Sequence, residues 1–379
     1  MQLLWEKIMN RQSLDKIKAS IQNTYDRYRV FQIRRSSKRN YNNFIKLYGA
    51  IQRPNTSNYV KYWNRLSNFV DPTGFQIYYT LHGVKDIQFV PKEVYYAIIE
   101  PSLNDYTMTK AYRDKNNYER LFNKDVFPAV HLRNMAGVYY DGNYKRISDP
   151  QVQAILKALP KNSEKVVIKP SLITGMRHNV RVIDFNEKSL TLEYLQENYR
   201  HDFLIQKFII QNDYFNDLGT TANIRINTYR SVSDNSIFIH DTRCGFHSGT
   251  GADQSRYYND QVEIKQSGRL GSFSLNNRWI LSKTAPNRAS QLSAMDPVPG
   301  FDELKRVATE IALKCPYHRR LGIDMIVDKN GKPVVYEVNF GLLGFNKSQY
   351  LIGGLFKEYT DEVIEYCNCN KSNIHFPFT

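Results

Sequence analysis

The stretch LGIDMIVDKNGKPVVYEVNFG, Leu321 to Gly341, sets the strongest constraint on how this 379-residue chain folds. Two runs rich in β-branched residues flank a turn, the pattern of a β-hairpin. With Asn330-Gly331 as the central pair of a type I′ turn, Lys329 faces Lys332 and Asp324 falls opposite Glu337. Asn339 shares their face, because side chains alternate along a strand. Like charges directly opposite one another destabilise a sheet, and a divalent cation between them reverses that sign. Two carboxylates and the carbonyl oxygen of Asn339 form an all-oxygen set, suited to Mg²⁺ or Mn²⁺ rather than zinc. Magnesium held by so few carboxylates completes its shell with water and substrate phosphates, so the hairpin points to a nucleotide. The competing reading is a surface hairpin whose carboxylates are separated or paired with lysine.

Around this hairpin the order of elements is mixed. The first fifty residues carry apolar positions at helical spacing (Leu3, Ile8, Leu14, Ile17, Ile21). From Asn58 to Leu103 short apolar runs alternate with turn signals, which predicts a small α+β region. Ala111 to Asn123 predicts an amphipathic helix, GVYYDGNY a hairpin turning at Asp141-Gly142, and GFDELKRVATEIALKC a helix preceded by Gly300. Hairpins without regular βαβ alternation argue for an α+β fold and against a doubly wound parallel sheet. Both G-x-x-x-x-G-K-[ST] and a strand-to-helix G-x-G-x-x-G are missing from the sequence.

Two further stretches bear on a nucleotide site. In EKVVIKP, Lys169 ends an apolar run and would emerge at a sheet edge, and the loop SLITGMRHNV supplies Ser171, Thr174, Gly175 and several backbone N–H groups. A lysine beside an N–H-rich loop is one way to hold triphosphate oxygens; a strand that merely ends in Lys-Pro is the plain alternative. In NIRINTYR, Arg225 lies mid-strand between Ile224 and Ile226, facing either solvent or an anionic site.

Taken together, Asp-x₁₂-Glu-x-Asn on a hairpin, VVIKP with its loop, and the Arg-bearing NIRINTYR strand resemble the ATP-grasp superfamily. The likeness is to the sugar-transfer-associated branch found with polysaccharide biosynthesis, and runs from about Tyr59 to Gly354, through IEPSLND, RDKNNYERLF and GADQ. The resemblance implies two α+β subdomains gripping ATP between antiparallel sheets. It divides the chain into a basic helical segment (1–57), an α+β region (58–110), a lid-bearing small subdomain (111–205), a core subdomain with the metal site (206–355) and a tail (356–379). It implies that Lys115 and Lys169 contact phosphates, with Ser171, Thr174 and Gly175 in the phosphate loop. Gln206, Lys207, Phe208 and Ile209 would offer backbone groups to adenine. Arg225, Lys169 and Arg243 would be catalytic, and Asp324, Glu337 and Asn339 would bind magnesium. The phosphate loop has one glycine where the family usually has several, and Gln254 and Ala222 stand where asparagine is usual.

The reaction so implied joins a carboxylate to an amine, with an acyl-phosphate formed from ATP on the way. No Ser-His-Asp or Cys-His arrangement stands out to compete with it; His240 and His247 read as structural or substrate-adjacent. Arg243, Asp253 and Arg177 are candidates either for substrate contact or for ordinary ion pairs. A net charge of +15, with eleven Lys/Arg against three acids in residues 1–50, favours an anionic partner. With the polysaccharide-associated branch, that points to a sugar carboxylate, such as a uronic acid, free or lipid-linked, with an amino acid or small amine as its partner. The alternatives are a kinase acting on a sugar or lipid hydroxyl and a non-catalytic polyanion-binding module. The RNA-binding signature that would favour nucleic acid is missing. Four cysteines without zinc spacing, and no signal-peptide-like or membrane-spanning apolar run, predict a soluble cytoplasmic protein, with peripheral contact at the inner membrane face as an option.

Overall fold

The computed structural model describes residues 11–162, 164–172, 180–218, 222–246, 260–276, 280–284, 291–341, 343–344, 346–371 and 374. Thr174, Gly175, Arg177, His247, Asp253 and Gln254 lie outside the described residues, as do Leu3 and Ile8. The chain divides into two compact units, Met1–Thr107 with Ser231–Asn235 and Gly344–Thr379, and Met108–Arg230 with Ser236–Leu343.

The first unit is helical where described, with no β-strand among its described residues. This corrects the α+β expectation for residues 58–110. A short apolar run suits a buried strand or a buried helix equally, and here Tyr95–Ile99 is a π-helical turn with Tyr95, Ala97 and Ile99 buried. The expected tail also carries structure: Thr360–Asn370 is a helix with Val363, Ile364 and Cys367 buried. Arg11–Tyr48 is one helix of 38 residues. Its buried face begins only at Ser37, Tyr41 and Phe44, and Ile17 and Ile21 from the sequence stripe are exposed.

The second unit carries two antiparallel sheets. The smaller has the order β2-β1-β5-β3-β4, with β1 Val130–Met135, β2 Val138–Asp141, β3 Lys165–Pro170, β4 Arg181–Asp184 and β5 Phe203–Lys207. Val166, Ile168, Phe203 and Ile205 from its strands share a core with Val152, Leu156 and Leu159 of the helix Asp149–Asn162. Because β5 continues to Lys207, the subdomain boundary expected after residue 205 falls inside a strand. The larger sheet has the order β10-β9-β8-β7-β6-β11-β12, with β6 Ala222–Arg230, β7 Ile237–Phe246, β8 Asp260–Ile264, β9 Leu270–Asn276, β10 Leu281–Ser282, β11 Arg320–Val327 and β12 Pro333–Asn339.

The alternation along these strands separates two faces. Ile224, Ile226, Cys244, Val262, Leu321, Ile323 and Val338 join one core with Leu304, Val307, Ala308 and Ile311, which lie on the helix Phe301–Leu313. That helix forms as its sequence suggests, with Gly300 as its left-handed N-cap and Asp302 and Glu303 in its first turn, where acids complement the helix dipole. The opposite face of the sheet carries the polar side chains.

The opening hairpin forms with a different turn. Gly331 N–H donates to the Asp328 carbonyl at 2.9 Å and Asp328 N–H to the Lys332 carbonyl at 2.8 Å, so the loop is Lys329–Gly331 rather than a two-residue type I′ turn. Gly331 holds the positive φ, +82°, that such a three-residue loop requires. The turn alone would shift the register by one residue. A β-bulge restores it: Met325 pairs with Val335 but Asp324 pairs with Glu337, which leaves Tyr336 as the extra residue. Asp324 and Glu337 therefore do face each other, by two departures that cancel.

The helix expected over Ala111–Asn123 is broken. Tyr106–Tyr112 is helical, and then the Asp114 side chain accepts a hydrogen bond from Asn116 N–H and starts a 3₁₀ turn, Lys115–Asn117. Aspartate competes with helical bonding in this way.

Candidate active site

The polar face of the large sheet is ordered in rows. One row, read across β12, β11, β6, β7 and β8, is Glu337, Asp324, Arg225, Arg243, Glu263. The next is Asn339, Gly322, Asn227, Asp241. Two acids thus sit side by side and two arginines sit side by side, each an unfavourable neighbour pair on a sheet.

The ion pair between the two halves is tight. Arg225 grips Asp324 with two donors, Nε on Oδ1 and Nη2 on Oδ2 at 2.5 Å. Asn223 Nδ2 donates to Asp324 Oδ1 at 3.2 Å, and Asn339 Nδ2 to Asp324 Oδ2 at 3.0 Å. Tyr336 Oη in turn donates to Asn223 Oδ1 at 2.5 Å. Burial works against the Arg225 charge, but the paired carboxylate outweighs it and raises the guanidinium pKa. Gly322 makes room for this pair. A Cβ there would lie 3.1 Å from Arg225 Nη1 and 2.8 Å from Asn227 Oδ1. Arg243 is buried next to Arg225, with Nη1 3.3 Å from Gln261 Oε1. Its pKa is lowered by burial and by Arg225, against the opposing pull of Asp241.

Two lysines reach the acid end of the row. Lys115 Nζ lies 3.1 Å from Glu337 Oε1. Its 3₁₀ turn is pinned on both sides: Asn116 Nδ2 donates to the Asn134 carbonyl at 3.0 Å, and Arg133 Nη1 to the Asn116 carbonyl at 3.0 Å. Tyr118 follows and joins the turn to β12, its hydroxyl donating to the Val338 carbonyl at 3.1 Å. Lys169, at the end of β3 in the small sheet, donates from Nζ to the Tyr336 carbonyl at 3.0 Å. The bulge is what places that carbonyl, since Tyr336 is the residue without a cross-strand partner on β11. Lys169 is buried, and burial and then the nearby Lys115 ammonium lower its pKa to about 7 against the pull of Glu337. Ser171 links the two lysines. Its carbonyl accepts Lys115 N–H at 2.9 Å, and its buried Oγ has no hydrogen-bond partner among the described residues.

The structure thus brings Lys115, Lys169, Ser171, Arg225, Arg243, Asp324, Glu337 and Asn339 to one polar region where the two sheets meet. The segment expected to face adenine narrows. Gln206 is paired within the sheet with Val130 and Val167, and Lys207 N–H is taken by the Ala129 carbonyl at 2.9 Å. Phe208 and Ile209 lie beyond the strand. Sequence reasoning missed Asn223, Tyr336, Tyr118 and Gly322. The period-two series Asn223, Arg225, Asn227 and Asp241, Arg243 is the signal that marks a polar sheet face.

In this structure the two carboxylates are already compensated, Asp324 by Arg225 and Glu337 by Lys115, so a cation held by this donor set would replace those contacts. Among the described residues no group of three or more Asp, Glu, His or Cys gathers to hold a metal, so the set stays at two carboxylates and an amide. Asn339 spends its Nδ2 on Asp324, which leaves its carbonyl oxygen to turn elsewhere. The paired ammonium groups and the orphaned Ser171 hydroxyl suit an anion with several oxygens.

A protein-family model described as sugar-transfer associated ATP-grasp matches residues 99–350. This chain belongs to that family. Its α+β architecture is the ATP-grasp fold. Among solved structures it is similar to an N5-carboxyaminoimidazole ribonucleotide synthetase in complex with ADP, at 11% identity and a TM-score of 0.37, over 61% of this chain and 45% of that one. An L-amino acid ligase from Bacillus licheniformis gives 14% identity and a TM-score of 0.38, over 67% and 49%. Biotin carboxylase from Campylobacter jejuni gives 12% and 0.41, over 70% and 47%. The ATP-grasp chain spans about half the length of each of these structures. No curated protein matches the chain. No helix among the described residues is long and apolar enough to cross a membrane.

Proposed function

We propose that this ATP-grasp protein is an ADP-forming ligase that joins a sugar carboxylate, a uronic acid of a cell-surface polysaccharide, to an amine or amino acid. The observation that carries the reading is the row Glu337, Asp324, Arg225, Arg243. Its neighbouring acids would take a divalent cation in exchange for their contacts with Arg225 and Lys115, its neighbouring arginines would take an anion, and such a ligase holds both. Asp324, Glu337 and the Asn339 carbonyl would hold magnesium, which when bound neutralises charge on the transferring phosphoryl group.

Lys115 and Lys169 would bind triphosphate oxygens, aided by the Ser171 hydroxyl, with Phe208 and Ile209 against the base. In the first step a carboxylate oxygen attacks the γ-phosphorus. A C–O–P linkage forms, the bond from the γ-phosphorus to the bridging oxygen breaks, and ADP leaves with the electron pair. Arg225 and Arg243 would stabilise the growing charge and hold the acyl-phosphate. In the second step the amine nitrogen attacks the acyl carbon. Phosphate departs with the C–O electron pair, and the nitrogen proton passes to phosphate or solvent. No protein nucleophile is needed. The basic surface would draw an acidic saccharide, lipid-linked or free.

The test is ADP release in the presence of an amine, with uronic-acid saccharides or their neutral counterparts, and mass analysis of the product. The reading expects stimulation by the acidic saccharides only, and an amide product. Stimulation by neutral saccharides, or a phosphorylated sugar formed without amine consumption, contradicts it; the latter is the outcome a kinase would give.

A further inference from the structure

The helix Arg11–Tyr48 is far longer than its buried part: between Asp15 and Ser36 none of its residues is buried. On the face opposite Ser37, Tyr41 and Phe44 lie Ile17, Ile21, Tyr28 and Phe31, at 44, 55, 55 and 58% exposure. With Thr24 they follow the spacing of a continuous stripe along one side of a helix. Lys18, Arg27 and Arg34 flank the stripe, and Arg35, Lys38 and Arg39 extend the same side toward the C-terminus, all exposed. Arg34 also stacks over the Phe69 ring, 5.1 Å from its centroid.

We propose that this face is a docking surface for an anionic lipid membrane, which the helix meets lengthwise without crossing. The stripe has the spacing of a coiled-coil seam, so a second copy of the chain is the natural rival. Stable seams place acids opposite bases at the flanking positions, but here the flanks are cationic. The acids of this segment, Asp15 and Asp26, lie off the seam, and Asp26 accepts a hydrogen bond from Gln22 at 2.9 Å. Two copies would therefore oppose like charges. Nucleic acid would use the cations and leave Ile17, Ile21 and Phe31 in water. An anionic lipid surface takes both, with aromatic and aliphatic side chains at the headgroup boundary and lysine and arginine among the phosphates. The inference is independent of the catalytic reading, since none of these residues belongs to the site.

The test is flotation of the full chain with vesicles of phosphatidylcholine alone or mixed with phosphatidylglycerol. Retention is expected on the mixed vesicles only, weakening with salt. Ile21→Ser with Phe31→Ser is expected to lower the partition at least about tenfold, and Arg35→Gln with Lys38→Gln about 30-fold. Both double variants should keep the wild-type unfolding midpoint and the wild-type response to Mg·ATP, which separates docking from folding and catalysis. Equal retention on neutral vesicles, or none on either, overturns the proposal. So does a concentration-dependent dimer abolished by Ile21→Ser with Phe31→Ser, which would assign the stripe to a second copy. Binding to nucleic acid that survives that variant, without vesicle binding, would assign the surface to nucleic acid.

Discussion

Asp324→Asn is expected to lower ATP-dependent turnover on the order of 10³-fold and to destabilise the protein as well. Among the described residues Asp324 is the ion-pair partner of Arg225, held by two of its donors. Removing one partner of a buried ion pair costs about 3–5 kcal/mol, because the other charge is left without compensation. Arg225 keeps some access to solvent, so the lower end, about 3 kcal/mol, is expected, or roughly 6–12 °C in Tm for a unit of this size. Urea denaturation and an ADP-release assay read the two effects separately. Adding Arg225→Gln should restore much of the stability and none of the turnover. A double variant as unstable as Asp324→Asn would show that the pair is not what couples the two.

Lys169→Met gives the second large effect, with opposite signs for stability and binding. The Lys169 pKa is lowered to about 7 by burial and by Lys115, whereas the unfolded chain holds that proton to about pH 10.4. Below pH 7 the group is charged in both states and the folded protein carries the full desolvation penalty. Between pH 7 and about 10.4 the unfolded state binds more protons, so this group makes stability rise with pH. Above that window it is neutral in both states and the penalty is gone. The methionine variant, free of the penalty throughout, is expected to be more stable than wild type at pH 6 and to lose the rise above pH 7. Its affinity for ATP should fall by about tenfold or more. In the wild type, binding triphosphate above pH 7 should take up close to one proton, so affinity falls by up to about tenfold per pH unit toward pH 9. Calorimetric titration in buffers of different ionisation enthalpy measures that proton directly. Affinity flat from pH 7 to 9 would place the Lys169 ammonium outside the phosphate site.

The hairpin facing of Asp324 and Glu337 was legible because alternation and turn residues both act locally. The pairing is the one alternation predicts although the turn is not, and no residue type signals the bulge at Tyr336. That bulge has chemical weight, since it presents the carbonyl that receives Lys169. The helix Phe301–Leu313 was legible for the same local reasons: an N-terminal glycine, acids in the first turn and a sustained apolar period. Arg225 stands out as a charge between isoleucines, but its partner Asp324 comes from β11, where Asn223 reaches the same carboxylate, and only the sheet order brings them together. The region 58–110 was misread because apolar runs such as that around Tyr95 carry no period that separates a buried helix from a buried strand. The helical spacing at Ile17 and Ile21 was legible, and their exposure could be known only from the structure, where Tyr41 and Phe44 claim the opposite side.

The most direct measurement of the central claim is thermal unfolding of the wild type and Glu337→Gln, each with Mg·ATP, with ATP and chelator, and without ligand. Glu337 faces Asp324 across the hairpin and touches Lys115, so it bears on both the metal set and the lysines. At a hundred times its dissociation constant, a ligand stabilises the native state by about 2.7 kcal/mol. The account expects a shift of roughly 5–10 °C in the wild type that requires magnesium and is lost in Glu337→Gln. A shift that persists in the variant, or one that needs no magnesium, would contradict the assignment of the paired carboxylates as a metal–nucleotide site.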